Sequence, residues 1–256
     1  MKTWKERVRK ALKMALCMLP IALFGGFFTG IYTYEHYNAE TREMILQQIG
    51  SYDAFLAVAT VQSAMYAVFA CVIGYQLADS LGLVRPFGFQ KSILKKTVPM
   101  IVLFGILFAC DYFVFGRLIP EVAADYELGI SPAYFLCSLT YGGVIEEVLL
   151  RWFFMSLIAW VIWKLFAGKY GKEEIPAWVF ITANILAAVV FAAGHLPASI
   201  SIYGGLTPVI VFRCFLLNGC FALLFGRYYR KYGIQYAMLG HFGIHLVSKT
   251  ILLLVL

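Results

Sequence analysis

Charge is what this chain has least of. Asp, Glu, Lys and Arg make up 14% of its 256 residues, against 62% hydrophobic residues, and mean hydropathy is +0.80. A soluble domain carries roughly 25% charged residues, because its surface has to meet water. An ordinary soluble enzyme or binding module is therefore excluded. Also missing are a separate polar domain, a low-complexity segment and an internal repeat. The six cysteines, Cys17, Cys71, Cys110, Cys137, Cys214 and Cys220, all fall in apolar runs with no C-x-x-C pair. That pattern excludes a disulfide framework and leaves packing as their role.

What the chain does have is long apolar runs. A membrane-crossing helix needs about 20 apolar residues, and seven runs qualify, at roughly 11–34, 54–77, 97–115, 132–166 (over-long), 177–194, 207–225 and 236–256. The expected fold is all-α, a polytopic transmembrane helix bundle of about seven spans, with room for an eighth helix. The first run is too long for a signal-peptide core and no A-x-A-like site follows it, so it reads as a retained span. Loops 35–53 and 116–131 are long enough for short interfacial helices. Segment 79–96 reads as a connector on the inner leaflet, and 196–206, with Pro197, Gly204 and Gly205, as a short, partly buried turn.

The net charge of +7 is an orientation signal, not a nucleic-acid footprint. Lys2, Lys5, Arg7, Arg9, Lys10 and Lys13 precede the first span. Arg85, Lys91, Lys95 and Lys96 follow the second, Lys164, Lys169 and Lys172 the fourth, and Arg227, Arg230 and Lys231 the sixth. The alternate segments hold only Arg42 and Arg117. By the positive-inside rule the N-terminus is expected in the cytoplasm and the C-terminus outside, in the cell membrane.

Inside the spans stand Asp111, Glu146, Glu147, Arg151, Arg213 and Lys249, together with His195, His241 and His245. A charge at a span centre costs about 2.5–3.5 kcal/mol on insertion scales, so the cluster Glu146, Glu147 and Arg151 requires pairing, hydration or a function. Glu147 and Arg151 are four apart with the acid first, the favourable order for an ion pair on one helix face. Glu146 is turned about 100° away and is the freer carboxyl. Two carboxyls in unequal settings are what a general base and its partner need. His241 and His245 form a second i, i+4 pair, and Phe191 with His195 repeats the spacing. The histidines with Glu146 either ligate a metal such as zinc, through Glu146, His195, His241 and His245, or bind water and a developing oxyanion. Asp111, Arg213 and Lys249 lie nearer span ends, where snorkelling accounts for them. Asn184 and Asn218 read as hydrogen bonds between helices.

The order E-E-x-x-x-R (Glu146, Glu147, Arg151), F-x-x-x-H (Phe191, His195) and H-x-x-x-polar (His241, His245) resembles the type II CAAX prenyl endopeptidase and bacteriocin-processing family of membrane proteases. The resemblance covers 132–256, and 1–131 is an N-terminal three-span region without a motif. It implies an intramembrane endopeptidase of glutamate type with no metal cofactor. Its substrates would be peptides or proteins near the bilayer, either prenylated C-termini or bacteriocin or pheromone precursors, with a link to bacteriocin immunity. By position, Glu146 would be the base that activates water, with Glu147 and Arg151 supporting it. His195 would order the water, His241 and His245 would stabilise the oxyanion, and Phe191 would contact substrate. The family commonly has Asn where this chain has His245. The competing readings are a proton-coupled transporter and a non-catalytic scaffold or immunity protein. Straight spans leave His195 near the outer face and His241 near the cytoplasmic one, so the expectation is a bent span or a wet cone open to the cytoplasm.

Overall fold

The computed structural model describes residues 3–256; Lys2 of the basic N-terminal group lies outside the described residues. The chain is all-helical, with no strand among the described residues and seven helices long and apolar enough to span a bilayer. The protein is a multi-pass integral membrane protein. The spans are α1 (Trp4–His36), α3 (Tyr52–Ser80), α4 (Lys91–Leu118), α6 (Pro132–Phe166), α7 (Ala177–Gly194) continuing into α8 (Leu196–Tyr203), α9 (Pro208–Tyr232) and α10 (Ile234–Val255). Two short helices, α2 (Ala39–Ile49) and α5 (Pro120–Glu127), occupy the loops expected to hold them.

Local signals set the helix boundaries. Thr3 and Glu6 cap α1 reciprocally: the Thr3 hydroxyl accepts from the Glu6 amide at 3.3 Å and the Glu6 carboxylate from the Thr3 amide at 2.9 Å, which satisfies two amides the first turn leaves free. Asn38 and Ser51 cap α2 and α3 one way only, their side-chain oxygens accepting from the amides of Thr41 and Ala54. The segment 196–206 corrects the sequence reading, because most of it is helix rather than turn. Pro197 sits in the first turn of α8, where a missing N–H costs nothing, and Gly204 ends the helix at φ +76°. The residues that suggested a turn are a helix start and a helix stop.

The bundle is closed at the N-terminal side by contacts between helix ends. Arg7 reaches Asp79 at 3.3 Å and the Gln76 carbonyl at 3.2 Å. The connector after α3 is pinned to the start of α10: Gln235 donates to the carbonyls of Pro86 and Gly88, and the Tyr236 hydroxyl accepts from the Gln90 amide at 2.6 Å. Within this half the interior is apolar, built on Trp152, Met155, Tyr229 and Ala237. Large apolar side chains such as Val61 and Phe69 on α3 and Ile181 and Ile185 on α7 are exposed, as a lipid-facing surface requires. Cys17 and Cys220 join that surface, whereas Cys71, Cys137 and Cys214 are buried as expected.

The long span α6 is not a uniform α-helix. Two stretches, Ser138–Ile145 and Val148–Met155, have the wider π-type turn with i→i+5 bonding, and Glu146 and Glu147 lie between them. A third such stretch, Phe215–Gly219, interrupts α9. Widened turns of this kind displace side chains from the regular helical register and occur often at functional sites.

Candidate functional site

Close contact between α6 and α10 builds the centre of the site. A Cβ on Gly143 would lie 2.6 Å from the Phe242 Cα and 2.9 Å from its backbone nitrogen, so only glycine permits this approach. A Cβ on Gly142 would come within 3.3 Å of His245 Nε2, so that glycine leaves room for the imidazole. The helices run antiparallel, and this register brings Glu147 to His241 and Tyr134 to Lys249.

Glu147 is wholly buried. Its Oε1 accepts a hydrogen bond from His241 Nδ1 at 2.9 Å and lies 3.3 Å from an Arg151 terminal nitrogen. The spacing argument for the Glu147–Arg151 pair therefore holds. Arg151 is 2% exposed and its guanidinium lies 5.0 Å from the centre of the Phe191 ring and 5.6 Å from that of Phe225. The chain Arg151–Glu147–His241 thus crosses from α6 to α10, with aromatic rings around its cationic end. His241 also stacks on Phe225 at 4.5 Å and on His245 at 4.8 Å.

Glu146 has a different environment. It forms no hydrogen bond or salt bridge with another described residue and lines a cavity of about 330 Å³ together with Phe191, His195, His241 and His245. His195 ends α7, with Nδ1 2.8 Å from the Phe191 carbonyl and the Phe191 ring edge-on at 4.6 Å. The feared separation of His195 and His241 does not arise, since both line the one cavity. Because helix continues through α8, His195 stands eight residues short of the end of a 27-residue span rather than at its tip. The cavity is also tall, running along His241, His245 and Lys249 at four-residue intervals on α10, about 6 Å per step.

The cavity occupies only the half of the bundle away from the N-terminus. Its deepest lining residues are Glu146, Phe225 and His241, and it reaches Tyr37 beyond α1, Asp125 on α5 and Tyr203 at the end of α8. The expected cone open on the N-terminal side is therefore corrected: that half is filled by the apolar interior. The cavity also draws on helices without a motif, through Thr29 and Tyr32 on α1 and Asp111 on α4.

Snorkelling is also corrected for Asp111, Arg213 and Lys249, which turn inward. Asp111 is 3% exposed; its carboxylate accepts from Arg213 Nε at 2.8 Å and from the Tyr126 hydroxyl at 2.6 Å. Arg213 also donates to the Tyr203 hydroxyl at 3.1 Å. Lys249 is 1% exposed and donates to the Tyr134 hydroxyl. The missed signal was available: none of the three has an opposite charge one turn away in its own helix, so a partner had to come from another. Of the two asparagines, Asn184 does join helices, donating to the Leu223 carbonyl at 2.9 Å. Asn218 instead bonds back to Cys214 in its own helix and lines the cavity.

Among the described residues, no three His, Cys, Asp or Glu side chains gather closely enough to form a metal-ligand group. Within the alternative set of Glu146, His195, His241 and His245, two Nδ1 atoms are already engaged by protein oxygens.

Residues 129–247 match the family described as type II CAAX prenyl endopeptidase Rce1-like. This segment belongs to that family. The match supports a CAAX-type intramembrane protease in general, with peptide or protein substrates and a membrane setting. No curated protein and no solved structure shows significant similarity to the chain. All the candidate residues, from Glu146 to His245, fall within the matched segment.

Proposed function

We propose that the protein is a glutamate-type endopeptidase in which Glu146 activates water for attack on a peptide carbonyl. The observation that carries this reading is the contrast between adjacent carboxyls. Glu147 is locked between Arg151 and His241, while Glu146 stands at the cavity wall with no hydrogen-bond or salt-bridge partner among the described residues. A base must have a carboxylate free to meet water, and Glu146 fits that requirement.

The hydrogen bonds support different roles for the three histidines. With Glu147 ionised beside Arg151, the His241–Glu147 bond requires the proton on His241 Nδ1, which leaves Nε2 as an acceptor in the neutral ring. The Phe191 carbonyl can only accept, so His195 Nδ1 donates to it and its Nε2 is likewise an acceptor. These two rings therefore suit the holding of a water by its protons better than donation to an oxyanion. His245 differs, because its Nδ1 has no hydrogen-bond partner among the described residues, so either tautomer is open to it and it supplies the oxyanion donor.

In the proposed sequence Glu146 takes one proton from the water as its oxygen bonds to the carbonyl carbon. The carbonyl oxygen becomes an oxyanion that accepts from His245. Collapse of the adduct breaks the C–N bond, and the proton on Glu146 passes to the leaving amine, giving a carboxylic acid and an amine. Arg151 and Glu147 hold His241, and Phe191 packs the substrate side of His195. No step passes through a metal. The apolar filling of the N-terminal half disfavours a transporter, which needs a path through both halves.

With the basic loops placed in the cytoplasm, the cavity faces the outer half of the cell membrane. Substrates whose cleavage site lies there, such as exported peptide precursors, fit this geometry better than cytoplasmic prenylated C-termini. Residues 132–256 form the catalytic core, with α1 and α4 completing the cavity wall. The deciding experiment is cleavage of a membrane-associated precursor peptide by purified protein, with and without chelator, beside Glu146→Gln. The expected outcome is chelator-resistant cleavage lost in the variant at unchanged melting temperature. Undiminished cleavage by Glu146→Gln would overturn the base assignment.

A further inference from the structure

A second polar feature lies on the lipid-facing side of the bundle, between α7 and α9, and shares no lining residue with the Glu146 cavity. It is a crevice of about 330 Å³ with buried Met155, Phe180 and Gly226 as its floor and exposed Ile181, Ile185 and Leu223 as its walls. At its end nearest the protein's N-terminal side stand Arg227 and Arg230, three residues apart and so on one face of α9. Neither forms a salt bridge among the described residues, and the Arg227 side chain forms no hydrogen bond with any of them. Arg230 is partly buried, its guanidinium 4.8 Å from the centre of the Phe180 ring and one nitrogen a long 3.5 Å from the Ala177 carbonyl. A guanidinium has five N–H donors, so most of those in the crevice are unused. Trp178, exposed in the first turn of α7, sets this end at the membrane interface, where Trp rings gather. Arg227 lies about 4.5 Å deeper than Arg230. Asn184, packed on Gly226, is deeper still; it donates one amide proton to the Leu223 carbonyl at 2.9 Å, and its second has no partner among the described residues.

We propose that this crevice binds one anionic phospholipid from the leaflet on the protein's N-terminal side. The phosphodiester sits on Arg230 and Arg227, whose planar forks match paired phosphate oxygens. The free Asn184 proton meets an ester carbonyl one step deeper, and an acyl chain follows Ile181, Ile185 and Leu223. Charge complementarity selects this occupant. Two cations without an acid at headgroup depth, then one neutral donor, then apolar walls, repeat the order of a phospholipid from phosphate through glycerol ester to chain. Snorkelling carries a charge outward to the interface, as it does for exposed Lys95 and Lys96 near the start of α4, and it requires no crevice beside the charge. A basic pocket between spans, by contrast, is a recurrent form of headgroup site. The bound lipid ties α7 to α9 outside the catalytic cavity, so its binding stands or falls apart from the peptidase reading.

The test is native mass spectrometry of the full chain in detergent, titrated with dioleoyl phosphatidylglycerol and separately with dioleoyl phosphatidylcholine, which has the same chains and a phosphate neutralised by choline. One phosphatidylglycerol is expected to bind about 30-fold more tightly than phosphatidylcholine, each arginine contributing about fivefold towards an anionic headgroup. Arg227→Gln and Arg230→Gln should each reduce that preference about fivefold, and the double variant should abolish it. Lys95→Gln with Lys96→Gln removes the same charge from the same side and should leave the preference intact. Ile185→Trp, at a lipid-exposed position, should weaken both lipids by filling the crevice without altering charge. Equal affinity for the two lipids, an equal loss in the lysine variant, or undiminished binding to Ile185→Trp each overturns the proposal. Displacement of phosphatidylglycerol by an excess of inorganic phosphate would overturn it in favour of a free anion. If the arginine variants fail to fold, the lipid preference of the native protein and the Ile185→Trp result decide.

Discussion

Replacing Arg151 by Leu tests the most consequential contact in the site. The Arg151 and Glu147 side chains are 2% and 0% exposed, so the substitution leaves a carboxylate in the interior with no cation. Breaking a buried pair by removing one member costs about 3–5 kcal/mol. The guanidinium contacts with Phe191 and Phe225 add about 0.5–1 kcal/mol each, so the loss should fall at the upper end of that range. Protonation of Glu147 is the one available relief, and it exchanges the ionised acceptor of His241 for a weaker one. The double substitution Glu147→Leu with Arg151→Leu removes both charges and should restore most of the stability, since apolar replacement of a whole buried pair is often neutral or better. It should not restore cleavage, because His241 has then lost the carboxylate that fixes its tautomer. Denaturant unfolding in mixed micelles gives the stabilities, and peptide cleavage gives the activity. The reasoning fails if the single variant loses less than about 1 kcal/mol, the scale of a surface pair, or if the double variant is no more stable than the single.

Gly143→Leu should force α6 and α10 apart at the Phe242 backbone, lowering stability by about 1–3 kcal/mol as overpacking does and reducing cleavage with it; an unchanged melting temperature would refute the close approach. His245→Ala should lower kcat by about 10²–10³, the scale of a lost oxyanion donor, whereas His245→Asn, which keeps a donor, should retain most of it; equal losses would remove His245 from that role. Cysteine placed at exposed Glu43 on α2 should react with a membrane-impermeant maleimide on intact cells, in a background lacking the native cysteines, and cysteine at Gly88 in the connector should not. The reverse pattern would turn the cavity towards the cytoplasm.

What could be read from the sequence, and what could not, follows from the distance over which each contact is made. Glu147 and Arg151 declared themselves because their pairing lies within one helix turn, and the seven spans because each is a continuous run of apolar residues. The His241–Glu147 bond joins residues 94 apart and the Asp111–Arg213 bond residues 102 apart; no periodicity encodes either, since each depends on how separate helices are set against one another. The π-type turns around Glu146 and Glu147 have a related origin: each stretch packs closely on another span, the first on α10 at Gly142 and Gly143 and the second on α3 at Gly74, and no local pattern encodes those contacts. The error at 196–206 was of another kind, because Pro197 and Gly204 are ambiguous between a turn and the two ends of a short helix. One rule would have recovered more. A charge in an apolar run with no opposite charge three or four residues away cannot be stabilised by its own helix, and must be met across the bundle or by something that enters it. Asp111 and Arg213 satisfy the first condition with each other. Lys249 meets it through the Tyr134 hydroxyl, on a different span.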